Sequence, residues 1–308
     1  KMKCKNFFQC VNSVLLLFGV LTLLLSGCGS TEGADSGGVR DEIDFSEENP
    51  HVKVTFFDVG KGDAILIETG KHMVLIDTGY DDTAKVILNY MEKKDIRHLD
   101  YLILTHFDKD HVGGADWILR EVETGTVLQP DYESNGGQYR EYAKAMEAGE
   151  YSPVRVTDSM EFSLDNVDFL IYPPQQESYE EEDNDFSLVT SMVCGEVGFL
   201  FAEDCEKERL KELLQQEEFS LAHEVLKVPH HGTKNKKSAE FIKAVSPAAA
   251  VITDSGEKPA EEEVCRMLED AGAAVYFTKD GTVTCLCDGV NFQMIQEHSC
   301  NSEITPME

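Results

Sequence analysis

The chain has 308 residues, of which 42% are hydrophobic, and its 58 acidic residues outnumber its 27 basic residues to give a net charge of −31. A negative charge of this size repels polyanions at long range, so it argues against nucleic-acid binding over the whole surface. The length is sufficient for one large domain with a sizeable hydrophobic core.

The first thirty residues are predicted to be a targeting segment. A lysine-rich start (residues 1–5) precedes an apolar stretch, residues 14–25, that is short for a membrane span. The sequence Leu25-Ser26-Gly27-Cys28 then resembles a lipobox, so residues 1–27 are expected to be a lipoprotein signal peptide. A lipid on Cys28 would hold the protein on the outer face of the cell membrane. An ordinary secretory signal or an N-terminal membrane anchor is the alternative.

Residues 28–50 are predicted to be a flexible tether, because they are rich in Gly, Ser, Asp and Glu and contain few apolar residues. Residues 51–308 show no second linker and no internal repeat, so they are expected to form one domain. Cys194, Cys285 and Cys287 lie in strand-like runs and are expected to be mostly free, buried thiols. A zinc half-site at Cys285 and Cys287 is not expected, because the sequence offers no second cysteine pair to complete it.

Strands and helices alternate along this domain. The predicted strands of its first half are 52–57, 64–68, 73–76, 101–104 and 127–128, and the predicted helices are 81–92, 115–122 and 138–147. The opening strands are separated by glycine turns, which indicates antiparallel pairing. Trp117 is expected to pack in the core.

The second half repeats this scheme. Its predicted strands are 167–171, 187–194, 198–201, 224–228 and 249–252, with two or three closing strands, and its predicted helices are 206–215, 238–245 and 261–272. Two sets of strands with helices outside them predict an α/β fold, an αββα sandwich. A doubly wound parallel sheet is the alternative.

A dense group of metal-binding side chains follows the strand at 101–104. The segment reads Thr105-His106-Phe107-Asp108-Lys109-Asp110-His111-Val112-Gly113-Gly114. Strand ends project side chains into the mouth of an open α/β sheet. Imidazoles and carboxylates suit zinc or manganese, and this spacing permits a two-metal cluster. The alternative is a solvated polar turn.

Two later strand ends supply further candidate ligands. Asp204 follows the apolar run 198–203, and His230 and His231 follow the run 225–229. An aspartate between a strand and a helix can simply cap the helix. A His-His pair before a glycine is harder to explain as a structural feature.

These segments together resemble the metallo-β-lactamase superfamily, and more narrowly the extracellular hydrolase domain of the ComEC competence DNA-channel family. The resemblance extends from residue 52 to about residue 292, without any channel, and rests on five motifs in the family's order. The motifs are Asp58-Val59-Gly60-Lys61-Gly62-Asp63-Ala64, Ile76-Asp77-Thr78-Gly79, the His-x-Asp-x-Asp-His-x-Gly-Gly segment from His106, Asn184-Asp185-Phe186-Ser187-Leu188-Val189, and Leu226-Lys227-Val228-Pro229-His230-His231-Gly232-Thr233.

The resemblance implies two divalent ions, zinc or manganese, about 3.5–4 Å apart, which activate water near neutral pH. The implied ligands are His106 and Asp108 for one ion, Asp110, His111 and His230 for the other, and Asp204 as the bridge. Asp110 is therefore also expected to be essential for catalysis.

Other residues receive supporting roles from the same resemblance. His231 would protonate a leaving group or orient the substrate, and Lys227 and Thr233 would contact a phosphate. Asp63 and Asp77 would fix the tautomer and orientation of the ligand histidines.

Three segments depart from the family pattern. Asp108 replaces the histidine of most of the superfamily, as in the ComEC-like branch, and makes the site more tolerant of manganese. Ala202-Glu203-Asp204 replaces the usual Thr-Gly-Asp, and Glu257-Lys258-Pro259 replaces a Gly-His-Pro element.

The leading functional hypothesis is a surface-tethered phosphodiesterase or nuclease. Lysines near the His-His pair, opposed by Glu240 alone in sequence, support a phosphate-binding surface. This lysine cluster consists of Lys227, Lys234, Lys236, Lys237 and Lys243. The same metals would equally hydrolyse a small phosphoester, lactone or thioester. A non-catalytic binding module on this fold is the third hypothesis; no protein partner is indicated.

Overall fold

Two β-sheets face each other in the computed structural model, which describes residues 52–180 and 182–296. The strands are β1 Val52–Phe56, β2 Ile65–Thr69, β3 His72–Ile76, β4 His98–Ile103, β5 Glu123–Pro130, β6 Val154–Val156, β7 Met160–Leu164, β8 Val167–Tyr172, β9 Val189–Cys194, β10 Val197–Phe201, β11 Val225–Lys227, β12 Ala249–Ile252, β13 Ala274–Phe277, β14 Val283–Cys287 and β15 Phe292–Gln296. The α-helices are α1 Ala84–Lys93, α2 Ala115–Glu121, α3 Gly137–Ala148, α4 Glu182–Asp185, α5 Lys207–Gln215, α6 Ser238–Val245 and α7 Glu262–Asp270.

Both sheets are mixed. The first has eight strands in the order β15-β14-β1-β2-β3-β4-β5-β6, and the second has seven in the order β13-β12-β11-β10-β9-β8-β7. The pairs from β3 to β6 and from β10 to β13 are parallel, and the remaining pairs are antiparallel. This pairing confirms the antiparallel opening.

Three apolar layers hold the sandwich together. Residues of both sheets, such as Phe56 and Phe201, pack into one central cluster that also contains the buried thiols Cys194, Cys285 and Cys287. The outer faces of the sheets pack against α1–α3 on one side and α5–α7 on the other. The four-layer αββα prediction is therefore confirmed, and a single doubly wound sheet is wrong because this core lies between two sheets.

Two strands and one surface residue differ from the sequence predictions. The strands β6 and β7 were not predicted, although Asp165 and Asn166 between β7 and β8 have positive φ and form the tight turn of a hairpin. Trp117 is 43% exposed and its indole N–H donates to Asp81, so its predicted core position is wrong.

The described residues belong to one compact unit. Among them, no helix has the length and apolar content needed to cross a membrane. The predicted signal peptide, Cys28, the tether and both ends of the predicted domain lie outside the described residues.

A close contact between two turns generates a test of this architecture. Gly195, between β9 and β10, has φ +59, and Glu196 N–H donates to the carbonyl of Gly289 at 2.6 Å. A Cβ on Gly195 would overlap that carbonyl. We expect Gly195→Ala to lower the free energy of unfolding by about 2–4 kcal/mol in urea titrations.

Gly272→Ala is the matched control, because Gly272 also has positive φ (+89) but open space around its Cβ direction. Its expected loss is about 1–2 kcal/mol, the cost of a left-handed backbone alone. Equal losses in the two variants would contradict a tight contact between the turns.

Candidate metal centre

The carboxyl ends of parallel strands in both sheets meet at one place. Asp77 follows β3, the His106–His111 segment follows β4, Asp204 follows β10, and His231 follows β11. Each turn leaves a strand whose backbone is fixed on both sides by its neighbours, so the polar side chains are held together at the sheet edge.

The His111 ring is fixed by a buried aspartate. Asp77 accepts from His111 Nδ1 at 2.7 Å, from Thr105 Oγ1 at 2.6 Å and from Thr105 N–H at 2.9 Å. All three residues are fully buried. With its proton on Nδ1, His111 presents Nε2 to Asp204 Oδ2 at 3.4 Å. The hydrogen bond from His111 to Asp77 is the orienting contact predicted for Asp77.

His106 and His231 are oriented in the same way. His106 Nδ1 lies 3.2 Å from Thr105 Oγ1 and 3.4 Å from Ser187 Oγ. Since Thr105 Oγ1 donates to Asp77, it accepts from His106. His231 Nδ1 donates to the Thr253 carbonyl at 2.9 Å. Its Nε2 then lies 3.2 Å from Asp204 Oδ2.

These contacts leave the Nε2 atoms of the three histidines with few protein partners. His111 Nε2 and His231 Nε2 contact Asp204 Oδ2, whereas the buried His106 Nε2 and Asp204 Oδ1 have no hydrogen-bond partner among the described residues. Potential ligand atoms of Asp63, His111, Asp204 and His231 lie within 4.8 Å of one another. Nitrogen and carboxylate donors of this kind suit zinc or manganese, so the residues fit a metal centre.

The charge states agree with cation binding. Burial raises the pKa of Asp204, but the imidazoles of His231 and His111 lower it far more, so Asp204 is ionised. Burial lowers the pKa of His111, yet Asp204 and Asp77 hold it well above its usual range. Burial, with His111 nearby, keeps the pKa of His106 well below that range. A metal ion at His111 would therefore displace a proton.

Lys227 is fully buried beneath the centre. Its ammonium contacts Asp63, lies 3.6 Å from Glu203 Oε2 and donates to the Glu203 carbonyl at 3.2 Å. Burial lowers the pKa of Lys227, but the carboxylate of Asp63, together with that of Asp204, raises it above its usual value, so the lysine stays charged. Lys227 thus holds carboxylates in place instead of reaching a substrate phosphate. Asp63, predicted to orient a histidine, is its ion-pair partner.

Glu203 is the neutral member of this buried group. Its pKa is raised well above the usual range, mainly by burial and also by the neighbouring carboxylate of Asp63. Its φ of +39 is strained for a residue other than glycine. The glycine that is usual at this position would avoid both the burial of a carboxyl group and the backbone strain.

The remaining predicted ligands lie at the edge of the centre. Asp110 Oδ2 is 3.8 Å from His231 Nε2, and Asp108 and Asp110 line an adjoining cavity. His230 Nε2 is 3.8 Å from Asp204 Oδ2, while its Nδ1 is held by Glu206 at 3.0 Å. The geometry favours His231 as the ligand and leaves His230 as the more accessible imidazole, which reverses their predicted roles. Thr233, which was predicted to contact a phosphate, directly follows the His-His turn.

Most of the predicted lysine cluster has acidic partners. Lys234 pairs with Glu263, Lys237 pairs with Glu240, and Lys227 is buried. The predicted basic surface beside the His-His turn is therefore reduced to Lys236 and Lys243, which have no ion pair among the described residues. Sequence alone could not show this, because Glu263 reaches Lys234 from a distant part of the chain.

Sequence reasoning missed three residues that hold the ligands. Thr253 orients His231, Glu206 orients His230, and the Tyr80 hydroxyl lies 3.5 Å from Asp110 Oδ2. Thr253 directly follows β12, so the strand-end argument applied to the other sites would have found it. Tyr80 and Glu206 lie on turns, where no such pattern exists.

Comparisons with known proteins agree with this geometry. The family model described as "Metallo-beta-lactamase superfamily" matches residues 57–198. This chain carries a metallo-β-lactamase domain. ComE operon protein 3 of Bacillus subtilis (strain 168) is 28% identical over 226 residues, which are 65% of this chain and 28% of that protein. Competence protein ComA of Neisseria gonorrhoeae is 30% identical over 201 residues, 65% of this chain and 26% of that protein.

Solved structures show the same fold. The metallo-β-lactamase fold protein YhfI of Bacillus subtilis superposes with a TM-score of 0.51 at 10% identity, covering 77% of this chain and 100% of that one. Igni18, a metallo hydrolase of Ignicoccus hospitalis, gives a TM-score of 0.50 at 17% identity, covering 76% of this chain and 98% of that one.

The chain spans little more than a quarter of the length of the competence relatives. The ComEC-type resemblance is confirmed.

The orienting role of Asp77 in this metallo-β-lactamase domain can be tested by Asp77→Asn. The amide nitrogen cannot accept a hydrogen bond, so one contact to Thr105 or His111 is lost. We expect affinity for zinc or manganese to fall about 10–100-fold in competition titrations with a chelating dye. Asp168→Asn, which alters an exposed aspartate bonded to Ser163, should leave affinity unchanged. Unchanged affinity in both variants would contradict this role.

Asp185 provides a test of pH dependence. Its carboxylate accepts from Glu206 N–H at 2.8 Å and Arg209 N–H at 3.2 Å, so Asp185, and not Asp204, caps α5. Burial raises the pKa of Asp185 from 3.8 to about 6, against these hydrogen bonds. The stability that comes from the protonated form is therefore present below pH 4 and is lost as pH rises through 6.

Asp185→Asn removes this titration while keeping an acceptor for α5. In metal-free protein, we expect the variant to gain roughly 1–3 kcal/mol over wild type between pH 4 and pH 8 in urea titrations. A stability difference that stays constant over this range would show that the pKa of Asp185 is not raised on folding.

Proposed function

We propose that this chain is a dinuclear metal-dependent phosphodiesterase that acts on DNA as a nuclease, tethered through Cys28 to the outer face of the cell membrane. The observation that carries the metallo-hydrolase part is a buried set of potential ligand atoms, in which His111 Nε2 and His231 Nε2 share Asp204 Oδ2 and His106 Nε2 and Asp204 Oδ1 have no hydrogen-bond partner among the described residues. Orphaned buried ligand atoms cost folding free energy, so their retention fits a bound cation.

Each residue of the centre has a defined task in this proposal. His106, His111, His231 and Asp204 would hold the ions, with Asp110 beside them and Asp108 at the edge. Such ions lower the pKa of water to near neutrality and stabilise negative charge on a phosphoryl oxygen. Asp77, Thr105 and Thr253 keep the ligand rings in the required tautomers.

His230 is placed to move a proton at the mouth of the centre. Its side chain is 18% exposed, and Glu206 accepts from its Nδ1. Burial lowers the pKa of His230, but Glu206 and Asp204 raise it above its usual value, which favours the protonated form. In this position the imidazolium would give its Nε2 proton to a leaving oxygen.

The resemblance to the ComEC competence DNA-channel family supports DNA as the substrate, since both competence relatives align with this domain. A small phosphoester, lactone or thioester is the second candidate substrate. The pairing of Lys234 and Lys237 with carboxylates and the net charge of −31 favour it, because both weaken attraction of a polyanion. Export and lipidation at Cys28 are supported by the lipobox-like sequence.

The deciding assay uses the full chain with added manganese or zinc. Linear DNA, circular DNA, bis(p-nitrophenyl) phosphate and a small lactone are offered in parallel. Asp110→Ala/His111→Ala is the control, and we expect it to lose at least about 10²–10³-fold in rate because metal binding fails. We expect DNA and the diester to be cleaved.

Three other results would contradict the proposal in different ways. Hydrolysis of the lactone without cleavage of either phosphodiester would identify the small-substrate hydrolase. No bound metal and no activity would identify a binding module on this fold. Cleavage that survives in the double variant would come from a contaminant.

A further inference from the structure

We propose that Lys61 and Lys258 form a subsite for phosphates that flank the scissile one, which makes the substrate a polynucleotide instead of an isolated phosphodiester. This inference rests on the proposed phosphodiesterase function. It assigns phosphate recognition to the Lys61 and Lys258 loops instead of the lysine cluster predicted near the His-His turn.

Both lysines line one surface cavity beside the metal centre. Tyr80 and Ser255 also line it, as do two exposed carboxylates, Asp82 and Glu257. Tyr80 connects this cavity to the centre, because its hydroxyl lies 3.5 Å from Asp110 Oδ2. A group bound in the cavity is therefore adjacent to a substrate at the metal ligands.

The Lys61 loop is fixed to the metal-binding segment. Asp63 N–H donates to the Asp110 carbonyl at 3.0 Å, and the Tyr80 hydroxyl donates to the Lys61 carbonyl at 2.7 Å. A Cβ on Gly62 would lie 2.7 Å from the Asp110 carbonyl, so the two loops pack in backbone contact. The half-buried Lys61 is thus held at a set distance from the centre.

The Lys258 loop is fixed to the His-His turn. Glu261 N–H donates to the Gly232 carbonyl at 3.1 Å, and Ala260 N–H donates to the buried Asp254 at 3.2 Å. Within the loop, Lys258 N–H donates to Ser255 Oγ at 3.1 Å. Thr253, at the start of this loop, also orients His231. Both lysines are therefore carried on loops that are bonded to ligand-bearing segments.

These two ammonium groups are available to a ligand. Within residues 52–180 and 182–296, no carboxylate oxygen lies within 4.0 Å of either one. Three of the five lysines of the cluster differ, because Lys234 and Lys237 are paired and Lys227 is buried.

A second cavity at the centre is unfavourable to phosphates. The cavity lined by Asp108 and Asp110 also contains Glu133, Glu177 and Asp183, with Lys109 as its basic residue. Even with Asp108 and Asp110 neutralised by metal, three carboxylates remain there. A chain of phosphates is therefore expected to extend from the centre toward Lys61 and Lys258.

The test compares Lys61→Ala/Lys258→Ala with Lys71→Ala/Lys85→Ala in the full chain. The control removes the same charge from two exposed lysines outside the cavity. The substrates are a fluorescent single-stranded DNA 12-mer and bis(p-nitrophenyl) phosphate, and binding of the 12-mer is also measured by anisotropy in EDTA.

For the cavity variant Lys61→Ala/Lys258→Ala, we expect KM for the 12-mer to rise about 10-fold or more. The slope of log affinity against log salt concentration should be smaller by about 1–2. The small diester should be hydrolysed normally, and Lys61→Arg/Lys258→Arg should restore KM.

Two results would overturn the subsite. One is a KM and an anisotropy affinity for the 12-mer that change no more than in the control. The other is an equal loss on the small diester, which would show that the variant damages the centre. If wild type cleaves neither substrate, the phosphodiesterase proposal fails, while weaker 12-mer binding by the cavity variant in EDTA would still support the subsite.

Discussion

The centre depends on one constraint, which is that each of three buried histidines uses its Nδ1 in a hydrogen bond to the protein. Thr105 holds His106, Asp77 holds His111, and the Thr253 carbonyl holds His231. His111 and His231 then turn Nε2 toward Asp204 Oδ2, and His106 Nε2 is left without a hydrogen bond among the described residues. Because the partners stand at the ends of strands in both sheets, the sandwich must close before the ligand set exists.

Closing the sandwich buries charge, and the fold compensates for it locally. The Lys227 ammonium lies among Asp63, Glu203 and Asp204, where desolvation alone would favour its neutral form. Ionised Asp63 balances the Lys227 charge and Glu203 is neutral, while ionised Asp204 faces the imidazoles of His111 and His231. The left-handed backbone at Glu203, His230 and His231 is a further cost. Strain gathered around Asp204 and the His-His turn indicates that the fold gives up stability to place these side chains.

Overall charge and local charge lead to different expectations for the substrate. A net charge of −31 opposes a polyanion at a distance, yet within the Debye length the groups at the centre decide the interaction. At that range the lysines near the His-His turn are mostly neutralised, whereas Lys61 and Lys258 are not. The direction in which a substrate extends is thus a property of ion pairing in the folded protein.

The sequence by itself determined the αββα layers, the His106–His111 motif and Asp204, because strand periodicity and metal-ligand spacing are local properties of the chain. It also determined the orienting role of Asp77, through motif resemblance. Only the tertiary structure decided that Lys227 is buried, that His231 lies deeper than His230, and that Glu263 neutralises Lys234. The exposure of Trp117 was decided in the same way. These outcomes depend on contacts between residues far apart in the chain, whose distances no local pattern encodes.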